Sequence, residues 1–233
     1  MTDRLLLWDI DSTLIRTGDV SRRAFAAAFH EVTGHAVAEL AETSGRTDPA
    51  IFSDTLQLHG LRDPGDYFER FARRLGPAYR DRIDPMRRVG RVLPGARELL
   101  AACRIRPGVV QTVLTGNVRE SAEIKLEAFS LTPFLRLDVG AYGDDDPHRP
   151  NLVPIARRRA AAVFDGPLDP VIIGDTVHDV SAGLAHGVPV IGVATGRNSA
   201  AELRAAGATA VFRDLSDHDA VLAAILPDVT GPG

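Results

Sequence analysis

The sequence predicts a doubly wound α/β fold, in which a parallel sheet lies between two layers of helices. Two observations lead to this prediction: short apolar runs that end in polar residues recur along the chain, and helical patterns separate them. Neighbouring parallel strands need a crossover connection, which a helix supplies. A third observation is that a long stretch with helical patterns and no strand pattern interrupts this alternation after the first run. We therefore expect an α/β core with an inserted helical segment.

The predicted strands are continuous apolar runs, which are typical of strands covered on both faces. The first run ends in two acids, Asp9 and Asp11, and the others end in glycine, hydroxyl or acidic residues. Such strands deliver their polar residues to one edge of the sheet. The five predicted strands span residues 4–10, 109–114, 171–173, 188–193 and 208–212.

The predicted helices have the length that crossover connections require. In the core they span residues 121–129, 152–163, 178–186, 199–206 and 217–226. The interrupting stretch holds helical patterns around residues 20–32, 49–59 and 65–79. Turn-forming residues flank it at Thr17-Gly18-Asp19 and Leu93-Pro94-Gly95, as expected where a chain leaves and re-enters a compact domain. We predict a core of residues 1–16 and 92–233 and an α-helical cap domain of residues 17–91.

Composition limits the classes of partner. The chain has 233 residues, of which 45% are hydrophobic and 25% charged, and these values are ordinary for a globular protein. Its net charge of −4 gives no bulk attraction to nucleic acid or to an anionic membrane. The single cysteine, Cys103, excludes an intramolecular disulfide and favours a cytoplasmic protein. The N-terminal apolar run is too short for a signal sequence or a membrane span.

Acidic and hydroxyl side chains follow three of the predicted strands, at the edge where open parallel sheets bind their ligands. Asp9 and Asp11 start on the same side of the first strand, because strand side chains alternate in direction. Asp175 and Asp179 are one helical turn apart and can face one point. The turn at residues 115–117 offers free N–H groups to an oxyanion. These groups predict one polar crevice.

Four carboxylates around one crevice would repel one another unless a cation neutralised them. A hard divalent ion fits an all-oxygen set of ligands, and no histidine or cysteine accompanies these acids to indicate zinc. We therefore expect Mg²⁺ as the cofactor.

Three motifs occur in a fixed order at these strand ends: Asp9-x-Asp11-x-Thr13, Leu114-Thr115-Gly116-Asn117 and Gly174-Asp175-x-x-x-Asp179. Together they resemble the haloacid dehalogenase-like hydrolase superfamily, and within it the phosphoglycolate-phosphatase-like members with a helical C1-type cap. The resemblance covers the core motifs along nearly the whole chain, and the cap matches by position and helicity. It implies a Rossmann-like core and phosphoryl-transfer chemistry.

The resemblance also implies roles for individual residues. Asp9 corresponds to the nucleophile that becomes an aspartyl phosphate. Asp11 corresponds to the general acid that protonates the leaving alkoxide and then activates water. Thr13 would support this loop, and Thr115 would bind the phosphoryl oxygens with the adjacent backbone of Gly116 and Asn117.

The implied metal ligands are Asp9, the main-chain carbonyl of Asp11, and Asp175, with Asp179 orienting the waters on the metal. The cation that pairs with phosphate departs from the family pattern, in which it is usually a lysine before a proline. Here Arg149 precedes Pro150, and the only lysine of the chain, Lys125, lies eight residues after Asn117. Both cations remain candidates.

In the predicted cap, the segment Ser44-Gly45-Arg46-Thr47-Asp48 resembles a loop that reaches over the active site in capped relatives. Arg46 is therefore a candidate for a second contact with phosphate or substrate. Neither Arg46 nor any other cap residue reveals which ester is bound. Phosphoglycolate, a sugar phosphate, a nucleoside monophosphate and pyrophosphate all remain open.

These observations predict a Mg²⁺-dependent phosphatase that acts on a small-molecule phosphate monoester, as a monomer or homodimer. A dehalogenase needs no proton donor at the position of Asp11, and a phosphonatase of this type needs a lysine in the cap, where the chain has none. Two alternatives stay open: a phosphomutase, which uses the same two aspartates, and a non-catalytic phosphate-binding module.

Overall fold

The computed structural model describes residues 3–226 and has a five-stranded parallel sheet at its centre. The spatial order of the strands is β4-β1-β5-β6-β7, and each neighbouring pair is parallel. The first strand therefore lies inside the sheet between β4 and β5, and the later strands are added on both sides of it. The strands are β1 (Asp3–Trp8), β4 (Val109–Val113), β5 (Leu168–Gly174), β6 (Val190–Val193) and β7 (Ala210–Phe212).

Helices cover both faces of this sheet, so the predicted doubly wound α/β fold is confirmed. Alternate residues of β1 point to opposite faces: Leu6 and Trp8 lie in one buried apolar cluster, and Leu5 and Leu7 lie in another. Three helices pack on the first face: α5 (Ala96–Arg104), α6 (Arg119–Ala128) and α10 (His218–Ile225). Three pack on the second face: α7 (Arg149–Ala161), α8 (Val177–Leu184) and α9 (Ala200–Ala205).

The interruption predicted after the first strand is a cluster of four helices. They are α1 (Val20–Thr33), α2 (Asp48–Leu58), α3 (Tyr67–Arg80) and α4 (Ile83–Val89). Their apolar faces share a core that includes Phe25, Phe29, Phe52 and Phe71, whose rings are in contact. The cap boundaries at residues 17 and 91 stay a prediction.

Two features of the structure were absent from the sequence prediction. Helix α5 was missed although Ala96, Leu99, Leu100 and Cys103 have helical spacing and are buried, because the preceding Pro-Gly turn was interpreted only as a domain border. A two-stranded antiparallel ribbon, β2 (Ile15–Arg16) with β3 (Arg91–Val92), joins the chain segments on either side of the helical cluster. Strands of two residues have no detectable periodicity. Within residues 3–226, no helix combines the length and apolar character that crossing a bilayer requires.

Candidate active site

The polar residues that follow the predicted strands lie at one edge of the sheet, at the carboxyl ends of β1, β4 and β5. Asp9 follows β1, and its N–H donates to the carbonyl of Ile173 in β5 at 2.9 Å. Asp175 follows β5, and Asp179 lies in the first turn of α8. The ends of two adjacent strands therefore bring the acids together.

Carboxylate oxygens of Asp9, Asp175 and Asp179 lie within 4.8 Å of one another, and all three residues are buried. Thr13 connects two of these acids, because its hydroxyl is 3.1 Å from Asp175 Oδ1 and 3.4 Å from Asp9 Oδ2. Asp179 is fixed by a capping box, in which its Oδ2 accepts from the N–H and the hydroxyl of Thr176. Its Oδ1 is left to face the cluster.

Burial makes the ionised form of this cluster unfavourable. Burial raises the pKa of Asp9, and the nearby Asp179 carboxylate adds to the rise, while Arg149 opposes it. Burial also raises the pKa of Asp175, with further contributions from Asp9 and Asp179. Three acids at this distance need more positive charge than the described side chains supply.

Arg149 is the cation of this cluster. Its Nη2 donates to Asp9 Oδ1 at 2.7 Å and to Asp179 Oδ1 at 2.6 Å, and its side chain is 6% exposed. The residue begins α7, where Pro150 follows it in the first turn. Of the two candidate cations, Arg149 is therefore the one beside Asp9.

Asp11 faces a different group from the other acids, which corrects the expectation that four carboxylates converge. Its Oδ2 lies 2.6 Å from Lys125 Nζ and 2.8 Å from the amide nitrogen of Asn117. The strand ends at Trp8, and Ser12 has a φ of 64°, so the alternation of a regular strand does not extend to Asp11. Asp11 nevertheless lines the same cavity as Asp9 and Asp175.

The turn after β4 packs against the loop before α2. Thr115 Oγ1 accepts from the N–H and the side-chain amide of Asn117, at 3.2 and 2.7 Å. A Cβ atom on Gly116 would lie 2.1 Å from the carbonyl oxygen of Arg46. Glycine is therefore the residue that permits this approach.

Asp48 is a site residue that sequence reasoning missed. Its N–H donates to the carbonyl of Gly116 at 2.7 Å, and its Oδ2 accepts from the N–H of Val118 at 2.7 Å. Burial raises its pKa to about 6, although Lys125 and the Val118 N–H oppose the rise. The signal was present in the sequence, since Asp48 directly follows Thr47 in the segment that was singled out for Arg46.

Arg46 lines the same cavity, but its guanidinium is paired within the helical cluster. Its Nη2 is 2.6 Å from Asp54 Oδ2, and its Nη1 is 3.3 Å from the carbonyl of Glu42. It makes no hydrogen bond or ion pair with the three clustered acids. A role for Arg46 in binding a ligand stays a prediction.

A cavity of about 790 Å³ lies between the sheet edge and the helical cluster. Its floor includes Asp9, Asp11 and Asp175, and its helical side includes hydroxyl and apolar residues. Near Asp11 the Thr17 and Ser21 hydroxyls are 2.8 Å apart. The helical lining of the cavity comprises Thr17, Ser21, Arg22, Phe25, Ile51, Leu75 and Tyr79.

The acidic cluster fits a divalent cation of the hard type. Its donors are all carboxylate oxygens, and they lie close enough to share one ion. Burial raises the pKa values of Asp9 and Asp175, and the neighbouring carboxylates add to the rise. Arg149 neutralises part of this charge without covering Asp175, with which it forms no hydrogen bond. A bound cation would complete the compensation.

Fold and site together define a class of α/β proteins that carry an acidic centre at the carboxyl edge of a parallel sheet, beneath a helical insertion. The family model for haloacid dehalogenase-like hydrolases matches residues 6–183, and a related HAD-hydrolase-like model matches residues 149–218. The chain belongs to the haloacid dehalogenase-like hydrolase family, as its motifs predicted.

Solved structures share this fold at low sequence identity. A hydrolase from Pseudomonas syringae is 24% identical, with a TM-score of 0.67 and coverage of 96% of this chain and 99% of that one. A predicted phosphoglycolate phosphatase from Haemophilus somnus is 20% identical (TM-score 0.64; 94% and 97% covered). CbbY from Rhodobacter sphaeroides in complex with phosphate is 18% identical (TM-score 0.65; 93% and 96% covered). No curated protein sequence matches the chain.

Proposed function

We propose that this hydrolase is a Mg²⁺-dependent phosphatase that cleaves a small-molecule phosphate monoester through an aspartyl phosphate on Asp9. The observation that carries the proposal is the environment of Asp9, a buried carboxylate held by Arg149 at the floor of a cavity of about 790 Å³. The phosphate bound to CbbY, which shares the fold, supports phosphate as the recognised group.

In the first step, a carboxylate oxygen of Asp9 attacks phosphorus, the bond between phosphorus and the ester oxygen breaks, and Asp11 gives a proton to the departing alkoxide. In the second step, Asp11 takes a proton from water as the water oxygen attacks the aspartyl phosphate. Inorganic phosphate leaves and Asp9 is restored. Both steps need an in-line geometry, which a fixed Asp9 provides.

Charge neutralisation supports both steps. Arg149 presents a planar guanidinium whose donors suit phosphoryl oxygens as well as carboxylates. Asp9, Asp175 and the main-chain carbonyl of Asp11 would hold Mg²⁺, with Asp179 orienting its waters. The ion would neutralise charge on the phosphoryl group. Thr115, Gly116 and Asn117, which line the same cavity, would bind the phosphoryl oxygens.

We further propose that residues 17–91 act as a cap domain that covers the bound ester. Closure of such a cap would exclude bulk water before Asp9 attacks phosphorus. The contacts of Asp48 with the turn after β4 and the cavity walls of α1 and α3 support this role.

The experiment is a measurement of phosphate release from a panel of alkyl, sugar, nucleoside and aryl phosphate esters, with Mg²⁺ or with a chelator. We expect Mg²⁺-dependent release by the unchanged protein and a loss on the order of 10³-fold or more in Asp9→Asn. Asp165→Asn, which changes an exposed acid outside the site, serves as the matched control and should retain activity.

Two results would overturn the proposal. Unchanged turnover in Asp9→Asn would remove the nucleophile from the mechanism. An absence of phosphate release from every ester would exclude the phosphatase, and a stable label on Asp9 from a radioactive phosphate donor would then identify a phosphomutase instead.

A further inference from the structure

Lys125 is a buried ammonium group that the proposed mechanism does not use. It is the only lysine among the 27 lysine and arginine residues of the chain, and its side chain is 2% exposed. Burying an ammonium group is costly unless it finds charged and hydrogen-bonded partners. Its partners therefore indicate why it lies there.

Those partners form a closed triangle with Asp11 and Asn117. Lys125 Nζ is 2.6 Å from Asp11 Oδ2 and 2.6 Å from Asn117 Oδ1. The amide nitrogen of Asn117 donates to the same Asp11 oxygen at 2.8 Å, and to Thr115 Oγ1 at 2.7 Å. The ring of Tyr79 from α3 lies 5.1 Å from Nζ. Each of the three side chains is thus held by the other two.

The triangle engages only one oxygen of Asp11. Both donors approach Oδ2, and within residues 3–226 no group forms a hydrogen bond to Oδ1. The Asp11 side chain is 41% exposed and lines the cavity. Because Oδ2 already accepts two hydrogen bonds, a proton carried by this carboxyl resides on Oδ1, the oxygen left free to meet a leaving group.

Lys125 and Arg149 serve different carboxylates. Arg149 contacts Asp9 and Asp179, whereas Lys125 makes no ion pair with Asp9, Asp175 or Asp179. The two candidate cations are therefore not alternatives for one position. One lies beside the proposed nucleophile and the other beside the proposed acid.

We propose that Lys125 is a positioning residue that, with Asn117, holds Asp11 by Oδ2 so that Oδ1 faces the leaving group, and that it does not bind the phosphoryl group. This inference rests on the phosphatase function proposed above. A positioning role and a phosphate-binding role of Lys125 predict different results. If Lys125 positions Asp11, the loss of rate on removing the ammonium group depends on how much the leaving group needs a proton. If Lys125 binds phosphate, it does not.

Alkyl phosphates need that proton, because an alkoxide is a poor leaving group, whereas 2,4-dinitrophenolate leaves without one. We expect Lys125→Met, which keeps the length of the side chain, to lower kcat for an alkyl phosphate by about 10²-fold, a typical share for general acid catalysis. For 2,4-dinitrophenyl phosphate, hydrolysed by the same protein, the single-turnover rate constant for formation of the aspartyl phosphate should change by less than about threefold. KM for either ester should stay nearly constant.

A double-mutant cycle tests whether Lys125 acts through Asp11. In the Asp11→Asn background the acid is already lost, so Lys125→Met should cause no further loss of alkyl phosphate turnover. Arg149→Met is the comparison, because removal of the cation beside Asp9 should slow both esters alike. Circular dichroism and melting temperature establish that each variant is folded before its kinetics are measured.

The single lysine permits a readout that is independent of turnover. In protein labelled with ¹⁵N at lysine Nζ, the chain gives one side-chain ammonium resonance, and Asp11→Asn should shift it while Asp165→Asn leaves it in place. An unmoved resonance in Asp11→Asn would exclude the contact, whichever esters are hydrolysed.

The outcomes separate this inference from the proposed function. If the unchanged protein hydrolyses no ester, the function fails, and the lysine resonance still decides whether Lys125 holds Asp11. If the unchanged protein is active but Lys125→Met slows both esters equally and weakens inhibition by inorganic phosphate, Lys125 binds the phosphoryl group and the positioning role is wrong.

Discussion

Arg149 stands where relatives with the same motifs usually carry a lysine, and the geometry explains what a guanidinium adds there. One Nη atom reaches two carboxylates, Asp9 and Asp179, on two different elements. Its other terminal nitrogen, Nη1, lies 3.4 Å from the carbonyl of Gly45 in the loop before α2. A compact ammonium group offers a single point of charge and no such fork.

Removing this cation should destabilise the protein. Arg149→Met leaves buried Asp9 and Asp179 without their counter-charge, and breaking a buried ion pair from one side costs about 3 kcal/mol or more. We expect a lower melting temperature and little phosphatase activity, and a smaller loss of stability for Arg149→Lys. Thermal unfolding of the three proteins measures this, and an Arg149→Met protein as stable as its parent would contradict the assignment of Arg149 to the cluster.

Gly116 limits how closely the turn after β4 and the helical insertion approach each other. In Gly116→Ala the new methyl group would sit 2.1 Å from the Arg46 carbonyl, so one of the two backbones must move. We expect a loss of stability of about 1–3 kcal/mol, as for other overpacked sites, and a higher KM. Gly34→Ala is the comparison for backbone strain alone, because Gly34 has a φ of 77° but no atom within 4 Å of its added Cβ, whereas Gly116 is not at a positive φ. A Gly116→Ala protein with the stability and KM of its parent would contradict the close approach of the two backbones.

Most of the residues of this site could be predicted from the sequence, because they lie in short motifs that directly follow the predicted strands. Asp9, Asp175 and Asp179 meet as expected. The sequence could not decide between Lys125 and Arg149, since both lie on helices whose orientation depends on packing several turns away. It also could not reveal that the Asp11 carboxylate pairs with Lys125, because the strand ends at Trp8 and its alternation does not extend to Asp11.

Among the elements, the start of α2 joins the insertion to the turn after β4 by hydrogen bonds. Asp48 begins this helix and bonds the backbone of Gly116 and Val118. No periodicity predicts such a contact, because it depends on where two loops from distant parts of the sequence meet. Short strands β2 and β3 were missed for a related reason, since their two-residue pairing exists only after the chain has folded.

The raised pKa of Asp48 gives this element a pH dependence. Its folded pKa of about 6 exceeds the usual 3.8, so the native state binds more protons than the unfolded state between these values. Stability contributed by this group is therefore lost as pH rises from about 4 to 6. In Asp48→Asn an amide oxygen can still accept from Val118, and no ionisation occurs. We therefore expect the melting temperature of Asp48→Asn minus that of the parent protein to increase as pH rises through this range.

Asp84→Asn, which changes an exposed acid in α4, is the matched control for this measurement. Its melting temperature should differ from that of the parent by the same amount at every pH. A constant difference for Asp48→Asn as well would show that Asp48 ionises normally in the folded protein.

At the scale of the whole molecule, the sheet and the insertion contribute different parts of the site. In the sheet, β1 lies between β4 and β5. This arrangement brings three polar strand ends together. This topology was predictable because the alternation of strands and helices allows few arrangements. The size and lining of the cavity could not be predicted, because they depend on how the helices of the insertion pack over the sheet edge.

Mg²⁺ should stabilise the whole fold, because the acidic cluster exists only in the native state. An ion at about 100 times its Kd adds roughly 2.7 kcal/mol to the free energy of unfolding, which raises the melting temperature. Burial raises the pKa values of Asp9 and Asp175, so protons compete with the ion, and the increase should shrink as pH falls. Asp175→Asn should abolish it, while Asp165→Asn, an exposed change, should preserve it. Thermal unfolding with Mg²⁺ and with a chelator, at several pH values, measures each effect. An equal increase in Asp175→Asn would place the ion elsewhere.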